Sequence, residues 1–275
     1  VFSGFPPIVI IHGTGSCSFN CAEFMNSFPK THDVYCIDLP GWGISEDPPF
    51  DLATHPEHEI FAYYGEQIMK ALRELYVPDG KYIFVGHSFG SYILLKSIRN
   101  GTIPKKSIYK CTLTCLPGLV YKTSKYSYLW GSYFILGWLE SVFKQSWSRY
   151  LFRAFLFRKS NSLDNLKTMH KFIPNGFGYK LVGRQMAFRG LLPPIWKNPV
   201  LDQLNGIACK SNIELVGGIY DTMVDIQPMY KTDFVRLYEI KGGHCLFSNK
   251  ELYKQLVDII DEFKPVPKKC RICGK

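Results

Sequence analysis

The residues whose types and spacing first suggest chemistry are Gly86, His87, Ser88, Phe89 and Gly90, a G-x-S-x-G pentapeptide. An apolar run, Tyr82 to Val85, precedes it and suits a strand buried on both faces. Ser91 to Arg99 follows with the apolar spacing of a helix. A strand turning directly into a helix forces a strained backbone at the apex. Gly86 and Gly90 remove side chains that would collide there, and the Ser88 hydroxyl is left pointing outward. The Phe89 amide falls at the helix N-terminus, where first-turn N–H groups and the helix dipole favour an anion. One turn thus offers a nucleophile and half of an oxyanion hole.

A serine hydroxyl is a poor nucleophile until a base takes its proton. Histidine does this near neutral pH, and a carboxylate fixes the histidine tautomer. His244, in Lys241-Gly242-Gly243-His244, and Asp221, after Gly217-Gly218-Ile219-Tyr220, both follow strand-like runs. Asp225 is the alternative acid, but Asp221 lies nearer the strand end and follows the glycine-containing turn. Asp38 precedes Ser88 in the chain and is set aside as the acid. A glycine-rich loop, His12-Gly13-Thr14-Gly15-Ser16, follows the first strand-like run, and Gly13 lets its backbone approach a ligand. The Thr14 amide is the candidate second oxyanion donor. His12 and His87 flank this region and read as orienting or lining groups rather than as the base.

These residues need a scaffold, and the order of elements supplies one. Pro7–Ile11 reads as a strand, Glu23–Phe28 as a short helix and Asp33–Asp38 as a buried strand. Pro40, Gly41 and Gly43 make the next loop irregular. Glu57–Leu75 is a long helix ended by the Val77–Gly80 turn. After the pentapeptide and its helix, Tyr109–Leu116 is another strand, closed by Pro117-Gly118. Strands return at Asn212–Val216 and Val235–Ile240, with a helix-like segment between them, and Leu252–Phe263 is a closing amphipathic helix. This alternation predicts an α/β fold: a mostly parallel central sheet with helices on both faces. Such a sheet forms its sites beyond the C-terminal ends of its strands. Ser88, Asp221 and His244 are all expected there. Residues 117–205 break the alternation and read as an inserted helical cap. The core is then 1–116 with 206–264, and 265–275 is a basic tail.

In these motifs the chain resembles the α/β-hydrolase superfamily. The resemblance rests on His12-Gly13-Thr14-Gly15 after a strand, Asp38-Leu39-Pro40-Gly41-Trp42-Gly43-Ile44-Ser45, Gly86-His87-Ser88-Phe89-Gly90, the late Asp221, and Gly243-His244. It implies Ser88 as nucleophile, His244 as base, Asp221 as acid, Thr14 and Phe89 as oxyanion amides, and residues 117–205 as a cap over the pocket. Compared with the family, the first antiparallel strands are missing or lie upstream. An aspartate at the position of Ser88 would suggest epoxide hydrolase or dehalogenase chemistry. Serine points to acyl transfer through an acyl-enzyme, from an ester, thioester or amide.

Composition bounds the rest. The chain has 275 residues, 46% hydrophobic and 20% charged, as expected of a globular protein. No apolar run is long enough to span a bilayer. It begins with Val1 rather than Met, as a fragment or processed product would. The nine cysteines are an odd number, and Cys36, Cys111 and Cys115 sit in apolar strand-like runs. They read as buried thiols, which favours a reducing, intracellular compartment. The whole net charge of +10 lies in residues 117–205, together with four of the five tryptophans. A basic, aromatic cap suits an acyl-chain substrate and peripheral contact with an anionic membrane. Nucleic acid is not expected as a partner. Cys270 and Cys273 read as part of the tail rather than half of a zinc site, and no metal or cofactor is expected. The reading is a serine esterase, lipase or thioesterase. The alternatives are a catalytically silent lipid- or partner-binding protein of the same fold, or an acyltransferase using the same residues.

Overall fold

The computed structural model describes residues 5–13, 16–50, 55–75, 77, 80–116, 204, 207, 212–221, 224 and 236–262. The expected cap apart from Leu204, the basic tail, Thr14, Asp225 and the helix-like segment before residue 235 lie outside them. Among the described residues, six strands and four complete α-helices follow in chain order: β1 (Ile8–Ile11), α1 (Ser18–Met25), β2 (Val34–Ile37), α2 (Glu57–Arg73), β3 (Tyr82–His87), α3 (Phe89–Arg99), β4 (Ile108–Thr114), β5 (Ile213–Gly218), β6 (Arg236–Ile240) and α4 (Lys250–Asp261). The strands form one sheet in the order β2-β1-β3-β4-β5-β6, and every pairing is parallel.

Alternation along the strands builds a core on each face. Val9, Ile11, Tyr82 and Phe84 point to one side, where Ile60, Tyr64 and Ile68 of α2 and Ile93 and Leu94 of α3 cover them. Ile8, Ile10, Ile83 and Val85 point to the other, against Phe24 of α1 and Leu256 and Ile260 of α4. α4 buries Leu252, Tyr253, Leu256, Val257, Ile259 and Ile260, an i, i+3, i+4, i+7 stripe. Its N-cap is Asn249, whose side chain accepts from the Glu251 amide at 3.2 Å.

Three elements differ from the sequence reading. The first helix is Ser18–Met25, not Glu23–Phe28. Its N-cap, Cys17, makes no side-chain cap bond, and the Asp38 carboxylate accepts from Ser18 N instead, at 2.6 Å. A cap delivered from twenty residues away leaves no local signal. β2 is half-buried rather than buried, because it is the edge of the sheet. β5 runs on through Gly217 and Gly218, which pair with Glu239 and Ile240. The two glycines are therefore strand residues, not the turn after it.

Beneath the sheet, Lys110 of β4 is buried with Nζ 3.0 Å from Glu214 Oε2 of β5. The same ammonium donates to the carbonyls of Ile259 and Glu262, at 2.6 and 2.8 Å. It closes the C-terminal end of α4, where a cation is favoured by the helix dipole.

Candidate active site

Ser88 stands between the last residue of β3 and the first of α3, with φ 50° and ψ −117°. Its amide donates to Thr114 O at 2.9 Å, and its carbonyl accepts from Tyr92 N to open the helix. The turn is possible only because its neighbours lack side chains. A Cβ on Gly86 would lie 2.6 Å from Ser91 Cα, and one on Gly90 would lie 2.2 Å from Ile11 O. Gly13 meets the same turn from the first loop: its Cβ would be 3.0 Å from both His87 O and Ser88 Cβ. Phe89, buried as the first residue of α3, packs against Trp42, Phe61 and Tyr64.

His244 lies after β6 and Asp221 after β5. Tyr220 N donates to Gly242 O at 3.0 Å, which ties the two loops together. A Cβ on Gly218 would meet the carbonyl oxygens of Gly242 and Gly243 at 2.6 and 2.7 Å, so this close approach also requires glycine. Asp221 accepts from Val224 N through Oδ1, at 2.9 Å, and pairs through Oδ2 with His244 Nδ1, at 2.8 Å. A carboxylate only accepts, so Nδ1 carries the proton and the lone pair of Nε2 is turned outward. Ser88 Oγ is 2.8 Å from that Nε2. Asp221 and His244 are buried, and a hydroxyl, an imidazole and a carboxylate thus stand in one hydrogen-bonded row.

Two histidines beside this row, His87 and His12, are held neutral. Thr114 Oγ1 donates to Gly86 O at 2.8 Å, so it accepts from His87 Nδ1 at 3.1 Å. Burial, aided by the neighbouring His244, pushes His87 down to about 3. Its ring lies 5.3 Å from that of His244 and 4.9 Å from Phe247. In His12, Leu39 N donates to Nε2 at 3.1 Å, so Nδ1 carries the proton and donates to Gly13 O at 2.9 Å. Burial lowers its pKa as well. His12 therefore fastens the Gly13 loop to the loop after β2.

Asp38 shapes that second loop. It accepts from Ile44 N at 3.0 Å as well as from Ser18 N, and Ser45 Oγ donates to its carbonyl at 2.6 Å. A Cβ on Gly43 would overlap its carboxylate.

Two residues of this neighbourhood were not singled out from sequence. Thr114 binds Ser88 N and Ser91 Oγ through its carbonyl and His87 and Gly86 through its hydroxyl. Cys115, read only as a buried thiol, stands beside Asp221 and His244. No local break marks them: Cys111, Thr112, Leu113, Thr114 and Cys115 alternate apolar and polar, and only the pairing of β4 with β3 gives them their place.

A family model described as the alpha/beta hydrolase fold matches residues 6–171. No curated protein sequence matches the chain. Among solved structures, 2-hydroxy-6-oxo-6-phenylhexa-2,4-dienoate hydrolase from Rhodococcus sp. strain RHA1 is similar at a TM-score of 0.67 and 15% identity, over 94% of this chain and 91% of that one. The thioesterase domain from the curacin biosynthetic pathway is similar at 0.63 and 18%, over 94% and 92%. The epoxide hydrolase CorEH is similar at 0.64 and 15%, over 93% and 89%. At such identities the likeness is one of fold.

Proposed function

The chain belongs to the alpha/beta hydrolase fold family, and from that premise we propose that it is a serine hydrolase cleaving an ester or thioester with an apolar acyl part. The observation that carries this reading is the row Ser88–His244–Asp221, with 2.8 Å at each contact. In it His244 Nε2 takes the proton as Ser88 Oγ attacks the carbonyl carbon. Asp221 holds the tautomer and stabilises the imidazolium that forms. His244 then returns the proton to the leaving group, and an acyl-enzyme on Ser88 remains. Water, activated by the same imidazole, releases the acid. Oxyanion stabilisation falls to the amide of Phe89, at the N-terminus of α3, and to that of Thr14.

Hydrolase activity is the common ground of the structural neighbours, and the thioesterase domain among them supports acyl chemistry. The apolar acyl part rests on the aromatic, basic composition of residues 117–205, which we read as the cap and as the part that would touch a membrane surface.

The test is labelling with a fluorophosphonate, with Ser88→Ala as control, followed by a panel of acyl esters of increasing length. Labelling lost in the variant, and turnover rising with chain length, is the expected result. A well-folded wild type that is neither labelled nor active on any ester would overturn the reading and leave a silent binding protein of the same fold.

A further inference from the structure

Cys115 is the first residue after β4 and is fully buried. It adopts φ 48°, a left-handed conformation that costs a side-chain-bearing residue of order 1 kcal/mol or more. Its amide donates to Val216 O at 2.8 Å, so the strained turn is locked by the β4–β5 ladder. The turn delivers the thiol to a defined place. Its Sγ, a carboxylate oxygen of Asp221 and a ring nitrogen of His244 all lie within 4.8 Å of one another. Burial, together with the neighbouring Asp221 carboxylate, raises the thiol pKa well above the ordinary value. It therefore stays S–H and can only donate to the carboxylate.

We infer that Cys115 is a positioning residue of the Ser88–His244–Asp221 row, whose thiol donates to the Asp221 carboxylate and sets how strongly that carboxylate supports His244. The inference rests on the function proposed above. A second donor on a carboxylate draws off part of its negative charge. The imidazolium then gains less from Asp221, and the base deprotonates at lower pH. The donor also fixes the carboxylate plane, leaving Oδ2 for His244 and Oδ1 for Val224 N. Sulfur suits this task because it is a weak donor. A hydroxyl there would compete harder with His244 for the same charge.

The other groups around this pair are few among the described residues. From β3, His87 faces His244 and is neutral above about pH 3. His12 acts on His87 in turn and is itself held neutral by burial. Cys245, next to His244, is half-buried and acts on Cys115. His87 and His12 gain no charge near neutral pH in the folded protein, so neither accounts for a shift of the acid limb in a Cys115 variant.

The experiment compares wild type, Cys115→Ala and Cys115→Ser. The rate of fluorophosphonate labelling is followed against pH, together with the low-field proton resonance of His244 Nδ1–H. The alanine variant is expected to lose about tenfold in labelling rate, the worth of one charge-assisted hydrogen bond. Its acid limb and its low-field titration should both move to higher pH. The serine variant should recover most of the rate and move the limb to lower pH. Limbs and low-field titrations that do not move in either variant would overturn the inference, as would a serine variant no better than alanine. Should alanine fail to fold, the direction of the serine shift decides alone. The low-field resonance does not require turnover. A wild type that shows it but takes no label loses the hydrolase reading, and the thiol's effect on the pair is still read by NMR.

Discussion

Ser88 and Cys115 are the two non-glycine residues with positive φ among the described residues, at 50° and 48°, and they end neighbouring strands. Thr114 joins them: it precedes Cys115, and its carbonyl accepts the Ser88 amide. Ser88 Oγ contacts His244, and Cys115 Sγ lies within 4.8 Å of a ring nitrogen of the same histidine. Strain at such positions persists only where surrounding bonds over-determine the backbone, and here the β3–β4 and β4–β5 ladders do so.

Relief of that strain should trade activity for stability. Ser88→Gly removes the side chain that resists φ 50°, and should stabilise the fold by about 1 kcal/mol after the entropy lost from the unfolded chain is subtracted. It should also abolish fluorophosphonate labelling. Thermal melts of wild type, Ser88→Ala and Ser88→Gly measure this. A glycine variant melting below the alanine variant would contradict it.

The close approach of α3 to β1 should tolerate no added carbon. Gly90→Ala would place Cβ 2.2 Å from Ile11 O and 2.6 Å from His12 O, both backbone atoms that cannot rotate away. A loss of about 2–3 kcal/mol is expected in urea unfolding. An alanine variant as stable as wild type would mean that the helix and strand are set further apart.

Acid should destabilise the protein through His87. Its pKa is near 6.5 when unfolded and about 3 when folded, the drop caused first by burial. Between these values the unfolded chain binds the extra proton, so stability is complete above about pH 6.5 and falls as pH drops toward 3. At pH 5 the loss from this one group is about 2 kcal/mol. His12, lowered by burial in the same direction, adds to it. Chemical unfolding at pH 7 and pH 5 should show a smaller difference in His87→Gln than in wild type. Equal differences would count against the assignment.

Lys110 should matter more by its absence than by its presence. Lys110→Met strands Glu214 and two carbonyls near the end of α4. Removing one member of a buried pair costs about 3–5 kcal/mol. Arg236, 3.5 Å from Glu214, softens this only in part. The double variant Lys110→Met, Glu214→Leu should recover stability in urea unfolding. A double variant no better than the single one would show that the helix end, not Glu214, bears the loss.

Order and type of elements were legible in the sequence because each strand carries its own apolar run and each long helix its own stripe. That Ser88, Asp221 and His244 come together at one edge of the sheet was legible for the same reason: each follows such a run, and a parallel sheet gathers strand ends. What was not legible depends on pairing across the sheet. β2 could be known as an edge only from the strand order. α1 takes its cap from Asp38, on another element. Thr114 and Cys115 acquire their roles from the register that sets His87 opposite Thr114 and Thr114 opposite Val216, and no local pattern encodes that register.

The ladder itself passes from β4 to β5 without a gap in space although residues 117–211 intervene in the chain. Ser88, Asp221 and His244 all belong to segments flanking that crossover. The proposed chemistry and whatever that long segment contributes are therefore carried on separable stretches of sequence, so that the long segment can be exchanged or rewritten while Ser88, Asp221 and His244 keep their addresses.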